Sequence, residues 1–279
     1  MKTLKNHTLI YDADCPLCRA YTGAFIATGF LDNGGRTVYQ QVGGGFAPEM
    51  DAQLSQDEIA LVDMNTGKVR YGLESLLFIL SQRFPLLIKI LSVPGIRNAI
   101  NVLYKLISYN RKVIAPAPAN REHRFTCTPS FNLKYRWAYI IISWIVTSIL
   151  LSAFTDLFIP FVSPGSVYRE LVICGGQIAF QAAAVSLVTR SRRMEYLGNM
   201  MTVSLIGSLL LIPAIIIGGF LAVPAFIWLI YFTGVVTYML YEHMRRMQIL
   251  DLGIGMSLSW VLYRTLVLVV LAVNSFINL

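Results

Sequence analysis

The sequence predicts two parts of different fold class: an α/β domain first, then an all-α transmembrane helical bundle of about five spans. Three observations carry this. Of 279 residues, 56% are hydrophobic and 14% charged, with a mean hydropathy of +0.60, whereas soluble domains are about a quarter charged. The apolar weight is uneven: Met1 to about Arg136 mixes charge, Gly and Pro, and beyond it Leu, Ile, Val and Phe dominate. Finally, "YDADCPLCRAYTGAF" sets two cysteines two residues apart where an apolar stretch gives way to helical spacing. The expected organisation is a domain over 1–112, a basic linker over 113–135 and a membrane domain over 136–279.

In chain order, the β-branched alternation of Thr8 to Tyr11 predicts a strand. Leu17, Ala20, Tyr21, Ala24, Phe25 and Thr28 recur at helical spacing, which predicts a helix from Pro16 to Thr28 that stops near Gly29. Arg36 to Val42 reads as a second strand, and "GGGFAPEMDAQLSQ" as loop with room for one helical turn. Glu58 to Asp63 and Lys68 to Tyr71 form a hairpin across "MNTG". Leu73 to Arg83 is a helix, Pro85 starts another, and Pro94 to Asn110 is a long one with Ile96, Ile100, Leu103, Tyr104 and Ile107 facing inward. "APAPAN" is an extended linker. Strand, helix, strand, hairpin, helix is a minimal thioredoxin-like layout.

The C-x-x-C lies at the first strand-to-helix junction. A helix N-terminus carries partial positive charge and unpaired N–H groups, which stabilise a thiolate. Pro16 suits the first turn, where its missing N–H costs nothing. Cys15, expected to be the more exposed, is the candidate attacking thiolate and Cys18 the resolving one. Asp12 and Asp14 join them as candidate catalytic residues. Asp14 could cap the helix, or take and return a proton at Cys18, although its charge would raise a neighbouring thiol pKa.

"YDADCPLC" closely resembles the signature of the DCC family of thiol-disulfide oxidoreductases. The resemblance extends through "GKVRYGLESLLFIL" to "YKLISYNR", whose Asn110-Arg111 look like the family's closing residues, and Ala13 stands where glycine is common. It implies a thioredoxin-like fold and dithiol/disulfide activity for about Thr8 to Arg111, and nothing for the membrane half. Thioredoxins at large carry a cis-proline before the third strand; "QLSQDEIALVD" has no proline there, which argues against ordinary protein-disulfide exchange.

Runs of roughly 20 apolar residues predict spans at Trp137 to Ile159, Leu171 to Val188, Asn199 to Gly218, Leu221 to Tyr241 and Leu252 to Phe276. Gly207 and Pro213 are expected to pack or kink the third, and Cys174 to be a small packing residue in the second. Arg264, inside the fifth, is a candidate polar site in the membrane, because a central arginine is costly there. Lys134 and Arg136, then Arg190, Arg192 and Arg193, then Arg245 and Arg246 all fall on one side if five spans start from a cytoplasmic N-terminus. The apolar run after Lys2 and Lys5 is too short for a signal peptide. The expected location is a bacterial inner (cytoplasmic) membrane with the first domain in the cytoplasm.

The net charge of +8 gathers before the first span, in Arg111, Lys112, Arg121, Arg124, Lys134 and Arg136. This reads as a solvated membrane flank, with a specific anionic-lipid site as the alternative, rather than a nucleic-acid surface, since no aromatic motif interleaves it. Expected partners are a protein or small-molecule thiol or disulfide and the lipid bilayer, with no nucleic acid, no cofactor and no metal. Two other readings compete with the redox one. Cys15, Cys18, His123 and Cys127 could compose a zinc site, although the paired-knuckle spacing is missing. Alternatively, a membrane scaffold or transporter could carry a non-catalytic docking domain. Cys127 is also a candidate relay: it stands in the linker region, and Arg124 and His123 beside it would lower its pKa.

Overall fold

Leu9 and Ile10 point to opposite faces of the same strand and both are buried, so β1 (His7–Tyr11) is covered on two sides. The computed structural model describes residues 3–42, 45–118, 125, 127–158 and 164–277, and at 272 and 274–277 the backbone only. It divides into two units, Met1–Arg136 and Trp137–Leu279.

In the first unit β1 pairs in parallel with β2 (Arg36–Val38) and antiparallel with β3 (Ala60–Asp63), which pairs antiparallel with β4 (Val69–Tyr71). The sheet order is β2-β1-β3-β4. A parallel neighbour needs a crossover, and α1 (Pro16–Ala27) supplies it. Leu9 and Leu61 share one face with Phe30, Leu31 and Ile79, the last from α4 (Gly72–Ser81); Ile10, Ala60 and Val62 share the other with Tyr39, Met50 and Cys127. This small mixed sheet with helices has the strand order of the thioredoxin-like layout.

The structure departs from the sequence reading in three places. The second strand ends at Val38, and Tyr39–Val42 is a one-turn helix, α2, because Gln40 turns inward to hydrogen-bond the loop after β1. The helical turn that the following loop had room for is α3 (Ala52–Asp57), whose N-cap Asp51 accepts the Leu54 N–H at 2.8 Å. After α5 (Pro85–Leu91), the long helix α6 runs Pro94–Ile114, and most of its expected stripe does not face inward: Ile96, Leu103 and Ile107 are exposed, while Tyr104 of the same stripe turns in. Polar bonds set its rotation instead. The Tyr104 hydroxyl accepts the Ile59 N–H at 3.2 Å, and the Ser108 hydroxyl donates to the Asp57 carbonyl at 2.5 Å. Arg111 and Arg136, read as a solvated flank, are buried; Arg121 and Arg124 lie outside the described residues.

The second unit is helical: α7 (Leu133–Thr155) enters it and a 3₁₀ turn follows at Asp156–Phe158. Then come α8 (Val167–Val188), α9 (Arg193–Leu210), α10 (Ile212–Phe220), α11 (Ala225–Ile249) and α12 (Gly255–Ile277). Among the described residues, four segments are long and apolar enough to cross a membrane: Leu133–Phe158, Val167–Val188, Arg193–Phe220 and Ala225–Ile249. The third is interrupted at Leu211, with Pro213 in the first turn of α10, and a Cβ on Gly207 would strike Met239 of α11. The fifth expected span corresponds to α12, apolar over Gly255–Leu271. In the first unit, α5 and α6 are together apolar enough to span, but they meet at a bend of 90°.

Gly72 opens α4 at φ +59°, a conformation that costs a side-chain-bearing residue, and a Cβ there would meet the Glu58 carboxylate. Gly72→Ala is expected to lower stability by about 1–2 kcal/mol, seen as an earlier first transition in thermal unfolding of the full chain.

Candidate active site

Cys15 is the N-cap of α1, with extended backbone (φ −94°, ψ 109°), and Pro16 fills the first helical position. Its sulfur accepts the Cys18 N–H at 3.4 Å, so a cysteine does what a serine or aspartate usually does at a cap. One turn on, the Thr22 hydroxyl donates to the Cys18 carbonyl at 2.8 Å. Both thiols are free and buried, Cys15 at 2% exposure and Cys18 at 6%, so the expectation that Cys15 is the more exposed does not hold. Cys18, not Cys15, lines a cleft of about 310 Å³ with Asp12, Leu17, Tyr104, Arg111 and Cys127.

The motif loop is organised by Asp12. Its Oδ1 accepts the Asp14 N–H at 3.0 Å and the Gln40 side-chain amide at 2.5 Å, while the Gln40 carbonyl oxygen accepts the Ala13 N–H at 3.0 Å. Asp14 therefore sits inside a turn closed by Asp12, and the cap is Cys15 rather than Asp14. The other Asp12 oxygen lies 3.8 Å from Arg111 and 4.0 Å from Lys112.

Arg111 reaches this place from α6. Its guanidinium donates to the Gln56 carbonyl at 2.7 Å, the Asp57 carbonyl at 3.3 Å and the Cys127 sulfur at 3.6 Å. Neither Arg111 nor Gln40 stood among the site residues expected from sequence. For Arg111 the one signal was the family-like Asn110-Arg111 ending; for Gln40, 28 residues from Asp12, there was none.

The two thiols differ electrostatically. Hydrogen bonding from Cys18 favours the Cys15 thiolate, burial opposes it, and Arg111 assists against Asp12; the outcome is a pKa lowered to about 7. Cys18 moves the other way, because its bond to Cys15 and its burial both disfavour its charged form. One thiol is thus primed to ionise near neutrality and its neighbour to hold its proton.

Cys127 is not an exposed linker thiol. It is buried in the sheet core beside Ile10 and Val62, and burial raises its pKa to about 12, outweighing the pull of Arg111. His123 lies outside the described residues, so the four-ligand zinc set cannot be assembled from them. Among the described residues, no three His, Cys, Asp or Glu side chains are grouped to hold a metal ion. Arg264 is in the other unit, in the wall of a separate cavity.

Because Asp12 raises the Cys15 pKa, Asp12→Asn is expected to move it down. The pH midpoint for iodoacetamide alkylation of Cys15, followed by mass spectrometry of the reduced protein, should lie near 7 in the parent chain and at lower pH in the variant.

Compared with known proteins, the chain matches no curated protein and no solved structure. Residues 9–115 match the family model of the DCC1-like thiol-disulfide oxidoreductases. The matched stretch starts inside β1 and ends at Ala115, the C-cap of α6, so it takes in both motif cysteines, Gln40 and Arg111 but not Cys127 or the apolar helices that follow. Over residues 9–115, and there alone, the chain is therefore similar to the DCC1-like thiol-disulfide oxidoreductases.

Proposed function

We propose that the chain is a membrane-anchored thiol-disulfide oxidoreductase that works through Cys15 and Cys18 on the cytoplasmic face. The observation that carries this reading is the asymmetry of the pair: a cap sulfur lowered to about 7 beside a thiol whose proton is retained. In the reducing direction, the Cys15 thiolate attacks one sulfur of a substrate disulfide, forming a mixed disulfide and expelling the other sulfur as a thiolate. Cys18 then gives up its proton and attacks the Cys15 sulfur, releasing the second substrate thiolate. The protein dithiol is oxidised by two electrons, and the substrate disulfide gains them.

The proton on Cys18 needs an acceptor in a buried site. Of the two carboxylates in the cleft wall that Cys18 lines, Glu58 pairs with Lys105 at 3.7 Å, whereas Asp12 belongs to the motif loop and has one oxygen free of hydrogen bonds, and we assign it that role. Asp14 contributes its backbone N–H to the turn that Asp12 closes ahead of the cap. A cleft of this size suits a small disulfide, or one side chain of a larger partner, better than a folded protein surface.

Anchoring rests on the four apolar helices. The cytoplasmic assignment rests on the one-sided Lys and Arg distribution, a rule that counts basic residues rather than net charge. Arg245 and Arg246 therefore count although both pair with Glu242, at 2.7 and 2.8 Å. The cytoplasm keeps dithiols reduced, so the resting form is the attacking form. The relay through Cys127 keeps a narrower basis than the sequence suggested, namely a wall shared with Cys18.

Cys18→Ser in native membranes should accumulate mixed disulfides on Cys15, visible on non-reducing gels, and Cys15→Ser should abolish them. Preferential trapping on Cys18 would reverse the assignment. A reporter fused near Ala117 should be active in the cytoplasm and one fused after Leu279 outside it; both inside would mean four spans, and the opposite pattern would overturn the orientation.

A further inference from the structure

Within the helical unit, residues of α7, α8, α9, α11 and α12 enclose a cavity of about 390 Å³. That is the size of a small-molecule site. Leu151, Met200, Phe232, Val267 and Leu271 give it an apolar wall. The polar residues that interrupt the wall are not evenly matched. Glu170 is taken up by Arg169 at 2.7 Å, so that pair is neutral. Arg264 makes no hydrogen bond or ion pair among the described residues; it rests on the face of Trp260, 4.0 Å from the ring centroid, and its Nε is buried without an acceptor. Gln177, only 7% exposed, has its side-chain N–H donors buried and unmatched as well.

These two orphans belong to one stretch of the wall. The Tyr263 hydroxyl donates to the Ile173 carbonyl at 2.7 Å, pinning α12 to α8. Arg264 follows Tyr263 directly, and Gln177 is one turn beyond Ile173 on α8. A buried donor without an acceptor is costly, and a cation without a counter-charge more so. Stacking on indole holds the guanidinium in place, but it supplies no negative charge and fills no N–H.

We propose that this cavity is a binding site for a long-chain carboxylate, its acyl chain along the apolar wall and its carboxylate accepting from Arg264 and Gln177. The headgroup is specified by what the wall lacks: every unmatched polar atom named here is a donor, and the net charge is positive. A neutral quinone or ester carbonyl would fill the donors but leave the cation uncompensated. A two-chain phospholipid exceeds a space of this size. The bilayer is the source of such a molecule, and the site stands independently of the thiol chemistry.

The test uses the full chain in nanodiscs of zwitterionic lipid, with cis-parinaric acid as a fluorescent probe. Saturable binding is expected for the acid and much weaker binding for its methyl ester. Arg264→Gln should weaken the acid by about tenfold or more, the scale of a charge-assisted bond, while Arg264→Lys retains most of the affinity. Val267→Trp, which fills the cavity and spares both donors, should also abolish binding and serves if Arg264→Gln does not fold. Equal binding of acid and ester, unchanged affinity in Arg264→Gln, or displacement by decylubiquinone below the concentration of acid needed would each overturn the proposal.

Discussion

A buried guanidinium is the constraint on which the N-terminal unit turns. Arg111 comes from α6 and ties together the Gln56 and Asp57 carbonyls, the Asp12 carboxylate and the Cys127 sulfur. A cation in that position is costly unless its surroundings are arranged for it, and here the arrangement is the candidate active site. The motif loop is held by Asp12, the last turn of α3 presents its carbonyls, and the thiolate at the cap gains a positive neighbour. Removing the charge would loosen the docking of α6 and raise the Cys15 pKa together, so fold and reactivity share one residue.

The helical unit solves a related problem differently. Arg246 is buried yet doubly engaged, by Glu242 at 2.8 Å and by the Asn199 side chain at 2.9 Å. His243 and Tyr196 join a second buried polar cluster with Ser257 and Gln181. Against that background Arg264 is an exception, a cation stacked on an aromatic ring and otherwise unmatched. Polar groups among apolar helices are expected to find partners, and it is the contrast between the two arginines, Arg246 paired and Arg264 not, that is informative.

Much of this architecture was legible in the sequence, for identifiable reasons. The strand-helix junction at Cys15, the hairpin at "MNTG" and the apolar helices follow from local periodicity and turn chemistry, and they appear at or within a few residues of the expected places. What the sequence hid is non-local. Gln40 lay in a run that reads as strand, and only the bond to Asp12 across 28 positions bends it into α2. The rotation of α6 was misread in part: Tyr104 of its apolar stripe does turn inward, but Ser108 and Arg111 fix the helix through bonds no periodicity records, and Ile96, Leu103 and Ile107 are left outside. Arg111 itself looked like membrane-flank charge until its partners were in place.

The burial of both thiols has a kinetic consequence. A group with 2% of its surface accessible reacts with a bulky reagent only in the fraction of time that the loop and the first turn of α1 stand open. The observed rate is then the intrinsic thiolate rate multiplied by an opening equilibrium constant, as for a protected amide in hydrogen exchange. The first factor follows pH and the local charges; the second follows the loop contacts of Asp12 and Gln40 and responds to denaturant. Two probes of unequal size would separate them, and a partner that binds the open loop would raise reactivity without altering the pKa at all.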